Sequence, residues 1–121
     1  MRKGIISLIL LFIAQLGWAQ FNLRSGQSVA LVSDNTEEQV VQTALKLFAH
    51  DYQSVFSAPA VMNVRKGDII VGTVGKTSLV EATGVDLSCL KDKKQAFLLT
   101  VLPDGKLLVA GSDAHGTAYG I

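Results

Sequence analysis

The chain has 121 residues, 49% hydrophobic and only 17% charged, with two prolines; that much apolar surface offsets the entropy of ordering and excludes a disordered or low-complexity chain. The length suits one small domain and excludes a self-contained polysaccharide-processing barrel, which takes roughly 250 residues. Eleven Lys and Arg against ten Asp and Glu give a net charge of +1, without the clustered positive charge that nucleic acid or an anionic membrane surface calls for.

Arg2 and Lys3 precede an apolar stretch from Ile5 to Ala14 and a small-x-small end, Gly17-Trp18-Ala19. This pattern predicts a secretory signal peptide over 1–19, cleaved after Ala19, and hence a secreted or periplasmic product beginning at Gln20 with no membrane attachment after cleavage. A spanning helix needs about 20 apolar residues, and Gln15 and Gln20 arrive too soon for one.

Val29-Ala30-Leu31-Val32 reads as a strand stopped by Ser33-Asp34-Asn35. Asp34 or Asn35, with Glu37 or Glu38 three residues on, has the spacing of a capping box at a helix start. The helix buries Val41, Ala44, Leu45, Phe48 and Tyr52, a single stripe at steps of three and four. After Pro59, Ala60 to Val64 predicts a short edge strand, Arg65 to Asp68 a turn, and Ile69 to Val71 a buried strand. A short helix is expected over Thr77 to Ala82, terminated by Gly84. Cys89 cannot form an internal disulfide, and between Leu87 and Leu90 it reads as a small buried hydrophobe. The mixed-sign run Lys91-Asp92-Lys93-Lys94 reads as a solvated loop.

Ala96 to Leu102 and Lys106 to Ala110 flank Pro103-Asp104-Gly105 and predict a hairpin, because proline presets the first turn angle and glycine tolerates a left-handed one. Gly111 to Ile121 reads as a turn entering a helix; the apolar end without a stop signal points to a segment that continues in a longer protein. The layout predicts an α+β fold, a small mixed or antiparallel sheet covered by one main helix.

Gly72-Thr73-Val74-Gly75-Lys76-Thr77 invites a phosphate-loop reading, but the glycine that such a loop needs five positions before the second one is replaced by Ile70, so the run predicts a strand-to-helix turn. Ser112-Asp113-Ala114-His115 holds three hydrolase residue types as neighbours, whereas triad members converge from separate elements; Asp113 is better read as a helix cap. His50, Asp51 and the distant His115 make a poor zinc set, and no carboxylate pair can be placed across a pocket for glycoside chemistry. These readings give no catalytic residue, no metal and no cofactor.

Asp68-Ile-Ile-Val-Gly-Thr-Val-Gly-Lys76, Gly84-Val-Asp-Leu-Ser88, Lys94-Gln-Ala-Phe-Leu-Leu99 and Leu108-Val-Ala-Gly-Ser-Asp-Ala-His-Gly-Thr-Ala-Tyr-Gly-Ile121 together resemble, in order and spacing, the N-terminal domain of glycoside hydrolase family 115, the xylan α-glucuronidases. The resemblance runs from about Val29 onward, and its most specific part is the closing Gly-Ser-Asp-x-x-Gly-Thr-x-Tyr-Gly-Ile pattern. It implies a secreted enzyme that removes glucuronic acid or its 4-O-methyl ether from glucuronoxylan with inversion. It places the catalytic carboxylates in a (β/α)8 barrel of the same polypeptide beyond this chain, so that 20–121 is a non-catalytic, C-terminally truncated domain, like those preceding the barrel in other exo-acting glycosidases. The family often has Lys-Arg where this chain has Ala114-His115. Asp113 and His115 are therefore the candidates for positioning substrate or bracing the barrel loops. The alternative is a stand-alone small secreted binding or interaction domain without catalysis.

Overall fold

The computed structural model describes residues 20–121, and the signal peptide expected over 1–19 lies outside the described residues. Five strands, β1 (Val29–Val32), β2 (Ala60–Val64), β3 (Ile69–Thr73), β4 (Phe97–Val101) and β5 (Leu107–Gly111), form one sheet in the order β2-β1-β3-β5-β4. Two helices, α1 (Gln39–Phe56) and α2 (Ala114–Gly120), complete the α+β architecture. The sheet is mixed: β1 pairs in parallel with β2 and β3, β3 in parallel with β5, and only the β4–β5 hairpin is antiparallel. The antiparallel alternative suggested by the hairpin thus holds for one pairing alone. Covered on both faces, β1, β3 and β5 read as continuous apolar runs rather than alternating ones.

One face of the sheet carries both helices. Val29 and Leu31 of β1, Ile69 and Val71 of β3 and Val109 of β5 pack there against Val41, Leu45 and Tyr52 of α1. The expected stripe is thus in place, with Ala44 and Phe48 half-buried at its margin. Tyr52 stacks on Phe56 with ring centroids 4.5 Å apart and donates its hydroxyl hydrogen to the Gln27 carbonyl at 2.6 Å, so its polar tip is satisfied inside an apolar layer. The opposite face is covered by the connection from β3 to β4, whose Val80 and Leu90 pack on Leu108 and Ala110 of β5.

That connection holds two 3-10 turns, Glu81–Thr83 and Ser88–Leu90, in place of the α-helix expected over Thr77 to Ala82. Val80 is the one fully buried side chain among Thr77 to Ala82, and a single anchor gives a helix no apolar stripe to bury. Gly84 does end the first turn, at φ 75°. Cys89 is exposed, contrary to expectation. In a 3-10 turn residues i and i+3 eclipse, so Leu87 and Leu90 share the inner side and Cys89 is turned outward. Lys91 to Lys94 is exposed as a loop.

The start of α1 also differs from its reading. Asp34 closes a local turn instead, accepting from both the amide and the hydroxyl of Thr36 at 2.8 Å. The helix begins after Glu38, which makes no side-chain cap. Glu37 turns away from the helix into the protein, where Thr73 holds its carboxylate.

β2 and β3 flank β1, and the four residues Arg65 to Asp68 between them cross its face. Asp68 fastens the crossing: its carboxylate accepts from the Ala30 amide at 2.9 Å and its own amide donates to the Ala30 carbonyl at 2.8 Å. A Cβ on Gly67 would lie 2.5 Å from the Ala30 carbonyl oxygen. Gly67→Ala is therefore expected to lower stability by about 2 kcal/mol, the range of core overpacking, as a reduced urea midpoint with an unchanged m-value.

Candidate functional site

The residues singled out by the sequence meet where β5 passes into α2. Asp113 caps α2: one carboxylate oxygen accepts from the Gly116 amide at 2.8 Å and the other from the Gln95 amide at 2.9 Å. Ser112 adds a reciprocal pair, its amide donating to the Ala96 carbonyl at 2.8 Å and its hydroxyl accepting from the Ala96 amide at 3.0 Å. The segment leading into β4 is thus pinned to the one leaving β5. His115 is exposed on the first turn of α2.

The glycines of the closing pattern mark close approaches. A Cβ on Gly116 would fall on the Ala96 carbonyl oxygen and one on Gly111 on the amide and hydroxyl of Thr117, both far inside van der Waals contact. One on Gly120 would meet Val109 at 2.7 Å. Thr117, fully buried, lies 2.6 Å from the Thr73 hydroxyl and 3.1 Å from the Asp113 carbonyl. Thr73 in turn donates its amide and its hydroxyl to the two oxygens of Glu37, each at 2.9 Å. A Glu37–Thr73–Thr117 chain of hydrogen bonds therefore ties the approach to α1, the end of β3 and the heart of α2 together.

What this arrangement does chemically is hold backbone. The Gln95 and Gly116 amide hydrogen bonds hold the Asp113 carboxyl below the ordinary aspartate value of 3.8, with a smaller contribution from His115. A pKa lower in the folded state than in the unfolded one means that the folded state favours the carboxylate, so this stabilisation is complete above the unfolded value and is lost as pH falls through the folded one. Asp113→Asn keeps a capping oxygen but places an amide against the Gln95 N–H. The variant is expected to melt at a lower temperature than the parent at pH 7 and to show a smaller loss of melting temperature between pH 5 and pH 2.

The other sequence candidates lie elsewhere. His50 and Asp51 face solvent on α1, 3.4 Å apart and about 80% exposed. Gly72 to Thr77 forms the end of β3 and a turn with Gly75 at φ 79°, and the Gly75 amide donates to the Glu81 carboxylate at 2.9 Å rather than standing open for a phosphate. Among the described residues no group of three His, Cys, Asp or Glu is disposed to hold a metal ion, and no helix is long and apolar enough to cross a membrane. Sequence reasoning missed Glu37 and Thr73 as partners. Glutamate beside a helix start has an ordinary local explanation, and the only other signal was a buried-strand position, Thr73, occupied by a hydroxyl.

No family model matches the chain. Two curated glutamyl-tRNA(Gln) amidotransferase subunits, from Streptococcus pyogenes serotype M5 (strain Manfredo) and from serotype M1, are 32% and 31% identical over 102 residues, 82% of this chain. The chain spans only 20% of each of them. Among solved structures, a family GH115 4-O-methyl-α-glucuronidase with specificity for decorated arabinogalactans superposes with a TM-score of 0.80. With 54% identity across 84% of its length, this chain is similar in sequence and in fold to a segment of that family GH115 glycosidase, of which it spans 13%.

Proposed function

We propose that this chain is the accessory N-terminal domain of a secreted α-glucuronidase, in which 1–19 directs export and a (β/α)8 barrel farther along the same polypeptide carries the catalysis. The observation that carries this reading is the 54% identity over 84% of the chain, at a TM-score of 0.80, to a GH115 glycosidase. The amidotransferase likeness is lower in identity, and Gly111, Ser112, Asp113, Gly116, Thr117 and Gly120 of the closing pattern on which the family resemblance rests each make a close contact or hydrogen bond in the junction of β5 and α2. The substrate that follows is a polysaccharide bearing glucuronic acid or its 4-O-methyl ether, glucuronoxylan above all. No cofactor is required, since glycoside hydrolysis proceeds with a pair of carboxylates, and neither nucleic acid nor a membrane is a partner of the mature protein.

Asp113 and His115 act within this assembly by positioning. Asp113 fixes the backbone after β5, and His115 presents its imidazole outward toward substrate or a barrel loop. Changing both to alanine in a full-length enzyme is the test, and unaltered kinetics and stability would remove the role.

The deciding experiment reads the genomic DNA past the codon for Ile121 and assays the full reading frame for release of 4-O-methylglucuronate from glucuronoxylan, with a decorated arabinogalactan in parallel. The expected result is an open frame encoding a barrel-sized region and uronate release from at least one polysaccharide. An immediate stop, or continuation into an amidotransferase-like sequence, would overturn the proposal. Export is checked separately by mass spectrometry of the secreted product, expected to begin at Gln20.

A further inference from the structure

On the helical face of the sheet an apolar groove of about 150 Å³ opens at the end of α2. Its floor is Ile69 and Leu107, which pair at the start of β3 and β5. Its walls are Phe48 of α1 and Leu99 of β4, and it is closed at one end by Gly120 and Ile121. No lining residue carries a charge or a polar side chain, so a sugar or an ion has nothing there to bond. An apolar site of this size takes an apolar occupant.

We infer that this groove is the seat of a helical segment continuing α2 in the longer polypeptide. The inference rests only on the part of the functional reading that places this chain within a longer protein, not on the glycosidase activity. Three observations identify the occupant. The groove is continuous with α2, because Gly120 and Ile121 line it, and the Ile121 amide still makes the helical bond to the Thr117 carbonyl, at 3.2 Å. The seven residues of α2 extend about 10 Å at 1.5 Å per residue. The five of β5 beneath it extend about 17 Å at 3.4 Å per residue. The uncovered length is a little over one helical turn.

The third observation is the stripe on α2. Ala114 and Thr117 are buried and Ile121 packs on the helical core, a spacing of three and then four residues. Carried forward, it puts the positions three and four residues beyond Ile121 over the groove and the seventh just past the start of β5. An apolar side chain there would also cover Leu99, which is 52% exposed.

The test is hydrogen exchange, read by mass spectrometry on peptides covering Leu99 and Leu107. It compares the full chain with two fusions after Ile121. Each fusion carries a fourteen-residue helical extension of Ala, Glu and Lys, with leucine at the third, fourth and seventh positions in one and glutamate there in the other. The leucine extension is expected to slow exchange in both peptides at least tenfold, the glutamate extension to leave it unchanged, and Leu99→Glu in the leucine fusion to reverse most of the gain. Leu99 is half exposed, so the variant folds; its circular dichroism checks this, and Leu99→Ala is the milder substitute. Equal exchange with both extensions would overturn the inference. So would protection of the unextended chain that rises with protein concentration, since a second copy would then fill the groove. Neither result bears on whether the full reading frame cleaves a glycoside.

Discussion

Gly116→Ala is expected to destabilise the chain by about 3 kcal/mol, the upper part of the range for overpacking a rigid site. The intrinsic preference runs the other way, because alanine in place of glycine inside a helix is ordinarily favourable by about 1 kcal/mol. The sign is decided by the neighbour. The new Cβ would fall on the Ala96 carbonyl oxygen, which is backbone and cannot rotate aside. That carbonyl accepts from the Ser112 amide at 2.8 Å, while the Ala96 amide donates to Ser112 at 3.0 Å. Relief of the clash therefore requires opening this pair, or lifting α2 from the sheet and losing the Asp113 cap with it. Chemical denaturation of Gly116→Ala beside His115→Ala makes the comparison. The exposed histidine one residue away is expected to change stability by no more than about 0.5 kcal/mol. A Gly116→Ala chain as stable as the parent would show that α2 does not sit so close to the segment entering β4.

This junction shows how far the sequence could be read. Asp113 as a helix cap was legible because the signal is local: an acceptor side chain one residue before a helix, bonding an amide three residues on. Its second partner, Gln95, lies eighteen residues back, and no spacing rule connects them. Gly116 and Gly111 stood out only as members of a family pattern, since a glycine required by another segment's backbone looks in sequence like any other. The same division separates the elements. The stripe of α1, the β4–β5 hairpin and the edge position of β2 follow from periods and turn residues. The parallel order β2-β1-β3-β5 depends on a four-residue crossing over Ala30, which only the pairing of distant segments decides. Cys89 was misplaced for a related reason. Its neighbours predicted burial, but a 3-10 turn presents one residue in three to the core.

Glu37 is the second position where a large effect is expected, and its two obvious substitutions should part company. Glu37→Ala leaves the Thr73 amide, at the buried end of β3, without its acceptor, and removes the group that receives the Thr73 hydroxyl hydrogen. An unsatisfied buried donor costs about 1–3 kcal/mol and hydrogen bonds to a charged group contribute about 1.5–3 kcal/mol each, so a loss of about 3 kcal/mol is expected. Glu37→Gln conserves the shape and reverses a proton path. In the parent, Thr73 gives its hydroxyl hydrogen to Glu37, so Thr117 must supply the hydrogen across the 2.6 Å contact with Thr73. With glutamine, the side-chain oxygen still accepts from the Thr73 amide and the NH2 group donates to the Thr73 hydroxyl. Thr73 then donates to Thr117, and Thr117 to the Asp113 carbonyl 3.1 Å away. Every hydroxyl remains paired and only the second NH2 hydrogen of the glutamine gains no partner, so Glu37→Gln is expected to lose about 1–2 kcal/mol, for that hydrogen and the exchange of charged for neutral bonds. Thermal or urea unfolding of both variants gives the answer. Equal and large losses would mean that charge is essential at this position, and equal small ones that the approach to α1 is not anchored through Thr73 at all.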